Sequence, residues 1–292
     1  MQSRREFLTT ATRAMLAVPL ASRVFAAAKT LPVGLELYTV RDALASDLMG
    51  TVRAVAKMGY QVVEFYSPYY SWTPQMAKDV RHLMDALGIV CRSTHNSDTA
   101  FMPDGLQKAI DLNQTLGSHY IIMASPGTVA GADSWKAIAD RLNAASEKLK
   151  PLGMAAGYHN HAEEWHPVET GGPSGKQRPM DILATNTLKD IALQLDVGTC
   201  LESKADPVAW INENPGRIKS IHCKDWSPGK GYAALFGEGD APWSKIFDAA
   251  ERVGGVEYYL VEQEEGPKEE QLTRAQQCFV NWKKLRGASG SV

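Results

Sequence analysis

From Leu31 onward the chain alternates between two hydrophobic rhythms. Short continuous apolar runs read as strands buried on both faces: Val33 to Val40, Val62 to Ser67, Ile89 to Asn96, His119 to Ser125, Met154 to His161, Ile191 to Gly198, Ile218 to Trp226 and Val256 to Glu264. Between them, amphipathic stretches such as Leu48 to Met58, Pro74 to Leu87, Asp104 to Leu116 and Asp133 to Lys150 read as helices. Gly59, Gly88 and Gly117 stand where helices end, and Asp133-Ser134 stands where one begins. Eight strands, each followed by a right-handed crossover helix, predict a single-domain (β/α)8 TIM barrel. An open doubly wound sheet fits less well, because the first strand runs into Tyr38-Thr39-Val40-Arg41-Asp42 instead of a glycine-rich phosphate turn.

The polar ends of the later strands change the picture from scaffold to chemistry. His159 and His161, Asp196, His222 and Glu262 each close an apolar run, and such residues at the carboxyl ends of successive strands are the means by which a barrel builds a divalent-metal site. Side chains two apart share a strand face, which pairs His159 with His161, His222 with Lys224, and Glu262 with Glu264. Glu36, Glu64 and His95 occupy similar late positions on the first three strands. Each has a blander reading: Asp196 as a turn cap, Glu262 to Glu265 as a solvated acidic run, Lys224 as a structural ion-pair partner of Asp225 or another carboxylate. Two long glycine-rich segments, His166 to Pro179 and Trp226 to Pro242, follow candidate strands and are expected to overhang the same face.

Composition narrows the class. Residues 1–28 open with Ser3-Arg4-Arg5-Glu6-Phe7-Leu8, carry a weak apolar stretch, and end in Phe25-Ala26-Ala27-Ala28, which together read as a twin-arginine export signal with a cleavage site. That predicts passage through the twin-arginine translocase, a periplasmic address, a barrel over residues 29–286, and a disordered tail at 287–292. Removing the signal takes the formal charge from −2 to about −5, which argues against nucleic acid as a partner. No other segment is long and apolar enough to cross a bilayer. Cys91, Cys200, Cys223 and Cys278 show no CxxC spacing and are expected as free buried thiols, with a Cys200–Cys223 bridge as the alternative.

Gly59-Tyr60-Gln61-Val62-Val63-Glu64-Phe65, Gly157-Tyr158-His159-Asn160-His161, Gln194-Leu195-Asp196-Val197-Gly198, Ile221-His222-Cys223-Lys224-Asp225, Gly237-Glu238-Gly239 and Val261-Glu262-Gln263, in this order and spacing, resemble the xylose isomerase-like TIM barrels. The resemblance is to the sugar phosphate isomerase and epimerase branch, related to inosose dehydratases and ketose 3-epimerases, and it covers the chain after the signal. It implies a divalent metal such as Mn, Co, Zn or Mg, held by Asp196, His222 and Glu262. His159 stands where ketose epimerases carry a glutamate, which breaks their pair of carboxylate acid and base.

The expected chemistry is removal of a proton alpha to a sugar carbonyl polarised by the metal. Glu262 or His161 is the candidate base, Lys224 an electrostatic or proton-donating partner, and Glu64 and His95 contacts to substrate hydroxyls. Trp72, Trp165 and Trp226 are candidates to stack on a sugar face. With no phosphate turn and an exported address, an unphosphorylated sugar or keto-glycoside is the expected substrate. Elimination of the aglycone from a 3-keto-glycoside, an endonuclease IV-like phosphodiesterase and a non-catalytic carbohydrate-binding barrel are the competing readings.

Overall fold

The computed structural model describes residues 31–171 and 175–288. Residues 1–30, with the predicted export signal, and 289–292 of the predicted tail lie outside the described residues. Eight parallel strands close into a barrel: β1 (Val33–Glu36), β2 (Val62–Phe65), β3 (Val90–Ser97), β4 (Tyr120–Ser125), β5 (Ala155–His159), β6 (Ala192–Asp196), β7 (Ser220–Cys223) and β8 (Tyr258–Val261). Each pairs with its neighbours in sequence, and β1 closes the ring on β8 with Leu35 opposite Val261. A separate two-stranded antiparallel pair, Val168–Glu169 with Lys176–Gln177, lies in the segment between β5 and β6.

Except for β3 and β4, the strands end before the apolar runs that predict them, because the chain bends out of the ladder at the carboxyl end. After β1 it forms a 3-10 turn over Leu37–Val40, and after β6 a helix over Val197–Glu202 begins at once. The helices at Leu48–Met58 and Pro74–Leu87 match their amphipathic patterns end to end. Their amino ends are capped by Asp47 on the Gly50 amide and Thr73 on the Met76 amide. The helix Gly131–Leu149 corrects one expectation. It starts at an Ala130 N-cap that has no side-chain bond, so Asp133 and Ser134 lie inside the first turn, Ser134 turning back to the Ala130 carbonyl. The last helix, Gln271–Ala288, includes Gly287 and Ala288 of the predicted tail.

Period-two alternation sorts the barrel residues into two environments. Val63 and Phe65, Ile121 and Met123, Leu193 and Leu195, Ile221 and Cys223, and Tyr259 and Val261 pack outward into the layer between barrel and helices. Val62, Tyr120, Ile122, Ala192, Tyr258 and Leu260 form a separate apolar plug inside the barrel. One step further along the same inward faces, the interior turns polar with Glu36, Glu64, His95, His159, Gln194, Asp196, His222 and Lys224 all buried. A bulge helps to set this ring: between β2 and β3 the register shifts, so that Val63 pairs with Cys91 but Glu64 pairs with Ser93. Cys91 therefore belongs to the outer layer, while His95 reaches the inner cluster. All four cysteines are buried and unpaired.

Candidate metal centre

Two bonds aim Asp196. Its Oδ1 accepts from the Thr199 amide at 3.0 Å, capping the helix Val197–Glu202, which leaves Oδ2 directed into the ring. Cap and ligand are thus compatible roles for the two oxygens of one carboxylate. Oδ2 is buried and pairs with the Lys224 ammonium, 2.8 Å from Nζ. Asn160, next to His159, ties the ends of β5 and β6 together by accepting from the Asp196 amide at 2.9 Å and donating to Thr199 Oγ1 at 2.9 Å. The turn beyond β5 is fixed by Glu164, which accepts from the Tyr158 hydroxyl at 2.6 Å and the His161 amide at 2.8 Å.

His222 stands between two carboxylates. It lies 2.7 Å from Glu262 Oε2 through Nδ1 and 2.7 Å from Glu64 Oε1 through Nε2. Burial opposes charge on this ring, but Glu262 and Glu64 overcome it and raise its pKa to about 10. His159 is the opposite case: burial and the adjacent His222, His95, His161 and Lys224 push it well below its usual value, leaving a neutral imidazole. Burial likewise opposes charge on Glu262, yet Lys224 and His222 hold its carboxyl well below the usual range. Glu64 is held low against burial by His95 and His222.

One donor atom from each of His159, Asp196, His222 and Glu262 falls within a 4.8 Å cluster, all four buried. The chemistry of this set fits a divalent ion: a neutral imidazole, an imidazole poised between carboxylates, and two carboxylates, one with an oxygen that lacks a directed hydrogen bond. An overlapping cluster of Glu36, Glu64, His95 and His222 meets the same distance criterion.

Above the cluster opens a cavity of about 350 Å³ lined by Glu36, Tyr38, Tyr66, Ser67, His95, Ala124, Ser125, His159, His161, Glu262 and Glu264. Of the candidate residues, His95, His159, His161 and Glu262 reach this wall. Glu64 does not: it is fully buried and both its oxygens are engaged, by His222 and by the Gln194 amide, so it sits beneath the cavity.

Lys224 is also buried, with Nζ 2.9 Å from Glu264 and 3.6 Å from Glu262. Burial works against its charge, but Asp196, Glu262 and Glu264 more than offset this and place its pKa well above the usual value. Gly198 makes room for it, since a Cβ there would lie 3.0 Å from Lys224 Cγ. Asp225 is not its partner. That carboxylate accepts from the Trp226, Gly237 and Ala241 amides and the Trp243 indole, organising the loop that carries Tyr232 over the Lys224 ammonium at 5.1 Å.

The aromatic expectation is corrected. Trp165 is buried against Trp210, Trp72 packs on Phe65 and Tyr69, and Trp226 is not among the cavity-lining side chains. Tyr38 and Tyr66, in edge contact at 5.3 Å, form the aromatic wall instead.

Three side chains escaped assignment from sequence. Glu264 lines the cavity with a carboxyl raised to about 7 by burial and by Glu262. Glu36 is pushed well above its usual value by burial, Glu64 and Glu262, and its Oε2 is buried without a partner. Gln194 lies two residues before Asp196 on the same inward face, and the period-two rule alone could have brought it in.

A profile described as the xylose isomerase-like TIM barrel matches residues 52–281. The chain belongs to this family. It is 23% identical over 253 residues to an inosose dehydratase of Lacticaseibacillus casei, covering 72% of this chain and 79% of that protein. Among solved structures, a sugar phosphate isomerase/epimerase from Parabacteroides distasonis superposes with a TM-score of 0.73 at 23% identity, over 90% of this chain and 97% of that one. The IOLI protein with a bound zinc atom superposes at 0.64 with 16% identity, over 87% and 99%. At these identities the structural likenesses establish the barrel.

Proposed function

We propose that this chain is a divalent-metal-dependent enzyme of the sugar isomerase and epimerase kind, removing the proton alpha to a carbonyl of an unphosphorylated sugar or keto-glycoside. The observation that carries the reading is the convergence of His159, Asp196, His222 and Glu262 at the foot of a sugar-sized cavity. An ion held by these donors would supply a Lewis acid that polarises the substrate carbonyl.

Glu264 suits the base better than Glu262. Its carboxyl titrates near neutrality, while the Glu262 oxygen is committed to the His222 and Lys224 charges. Lys224 stays charged 2.9 Å from Glu264 and offsets negative charge that accumulates there. Glu36, its carboxyl pushed well above the usual value by burial and its acidic neighbours, is the candidate proton donor on this wall, and His95 and His161 complete it. Among the described residues no lysine or arginine lines this cavity, while Glu262 and Glu264 do, so a phosphate dianion would meet repulsion.

Elimination from a 3-keto-glycoside uses the same first proton transfer and is the second reading. His159 and His161, both lining the cavity from the β5 end, favour it, because imidazoles there take the side on which a two-carboxylate epimerase needs its second acid. Ser3 to Leu8 support folded export by the twin-arginine translocase to the periplasm, which suits a protein that loads its ion before leaving the cytoplasm. Metal-loaded and chelator-stripped protein incubated with 3-keto-glucosides and with free ketoses tests both readings: aglycone release marks elimination, an isomerised sugar marks the first. Absence of turnover on either class, with the ion bound, would overturn the proposal.

A further inference from the structure

Gln194 sits at the centre of the polar ring, fully buried, and touches four other strands. Its Nε2 donates to Glu64 Oε2 at 2.9 Å and to Ser220 Oγ at 2.9 Å. Its Oε1 lies 2.6 Å from His95 Nε2 and 3.0 Å from His159 Nδ1. A primary amide has two N–H donors and an oxygen with two lone pairs, so every hydrogen-bonding position of this side chain is filled. The orientation of the amide follows from its partners: a carboxylate such as Glu64 only accepts, which puts nitrogen on the Glu64 side and oxygen on the histidine side.

That orientation decides where the histidine protons are. An amide oxygen cannot donate, so both ring nitrogens that face it must carry hydrogen. A neutral imidazole has only one such hydrogen. His159 is then the Nδ1–H tautomer with its lone pair on Nε2, the atom that faces Asp196 Oδ2 at 3.9 Å. His95 likewise turns an Nε2–H to the amide oxygen, with Glu64 Oε1 3.1 Å from the same nitrogen.

The three rings of His95, His159 and His222 lie within 4.4 to 5.0 Å of one another and by distance alone form a three-histidine ligand set. We infer that Gln194 is a positioning residue that selects among them, presenting His159 through Nε2 to the ion and withdrawing the Nε2 of His95 from ligation. Glu64, held by the Gln194 amide, engages His222 Nε2, while His222 Nδ1 faces Glu262. In the overlapping Glu36, Glu64, His95 and His222 cluster, His95 Nε2 is turned to the Gln194 oxygen and both Glu64 oxygens are engaged.

The inference rests on the metal reading above only for what the selection accomplishes; the tautomers themselves are readable without an ion. The experiment is long-range 1H–15N correlation on histidine-labelled, metal-free protein, with single histidine variants for assignment, beside zinc affinity measured against a chromophoric chelator. Wild type should show His159 as Nδ1–H and His95 as Nε2–H, and bind one zinc ion per chain. Gln194→Leu, which keeps the bulk and removes all four bonds, should mix both tautomers and weaken zinc by about 10 to 100-fold, as loss of a partner behind a ligand does. Gln194→Glu, which still accepts from both rings but cannot donate to Glu64, should keep both tautomers.

Unchanged tautomers or unchanged zinc affinity in folded Gln194→Leu would overturn the inference. So would His159 read as Nε2–H in wild type, a result that does not depend on whether the variant folds. Correct tautomers in a chain that takes up no divalent ion would sustain the role of Gln194 and overturn the function proposed above.

Discussion

The two halves of the barrel mouth carry the same kinds of side chain and use them differently. On the β5 to β8 half, His159, Asp196, His222 and Glu262 turn a donor atom toward a common point. On the β1 to β3 half, Glu64 has both oxygens taken by His222 and Gln194, and His95 gives its Nε2 to Gln194. Residue type makes a carboxylate or imidazole eligible to be a ligand. What decides is whether its lone pairs are already claimed: at Glu64 both oxygens are, and His95 turns its Nε2 to the Gln194 oxygen.

Removing a ligand on the open half should have the largest effect. Asp196→Ala and His222→Ala are expected to abolish stoichiometric metal binding, read by elemental analysis, and to reduce turnover to background. Glu264→Gln should keep the ion and lower turnover by about 10² to 10⁴-fold, the usual contribution of a positioned base. In wild type the pH profile should rise through about 7 as that carboxyl ionises, and the variant should lose this limb.

On the claimed half the effects should be smaller. Glu64→Gln leaves all four ligands in place but swaps an acceptor behind His222, and is expected to weaken metal affinity by about 10 to 100-fold. A variant with no bound metal would erase the distinction between the halves. The pH dependence of metal uptake sharpens it further. His222 in the metal-free chain holds a proton with a pKa near 10, so ligation at neutral pH must release it. Affinity should therefore strengthen as pH rises, by about tenfold per unit for one proton released, and level off near pH 10. A pH-independent affinity between 6 and 9 would show that His222 does not ligate. Tyr66→Ala, at the aromatic wall, should have the least effect, raising KM about fivefold with kcat little changed, in line with roughly 1 kcal/mol for one aromatic contact.

Much of the scaffold is legible along the chain because its rules are local. Leu48–Met58 and Pro74–Leu87 end where their glycines say they should, and parallel strands buried on both faces announce themselves as unbroken apolar runs. The ligand types are legible for the same reason, since inward positions recur at every second residue. Glu264 and Gln194 each lie two residues from a candidate ligand and obey this rule as well; the pairing of Glu264 with Glu262 is visible in the sequence, but not the burial that raises its carboxyl. The stacking tryptophans are read less well, because whether Trp165 meets solvent or Trp210 depends on a helix distant in sequence.

The sequence by itself determined eight strands, their inward faces, and which residue types stand at the barrel mouth, since each depends on spacings of a few residues. Only the tertiary structure decided which atoms remain available there. The bonds that settle it join Gln194 to Glu64 across 130 residues and His222 to Glu64 across 158. A hydrogen bond is specified by the meeting of two groups in space, and barrel closure brings these together.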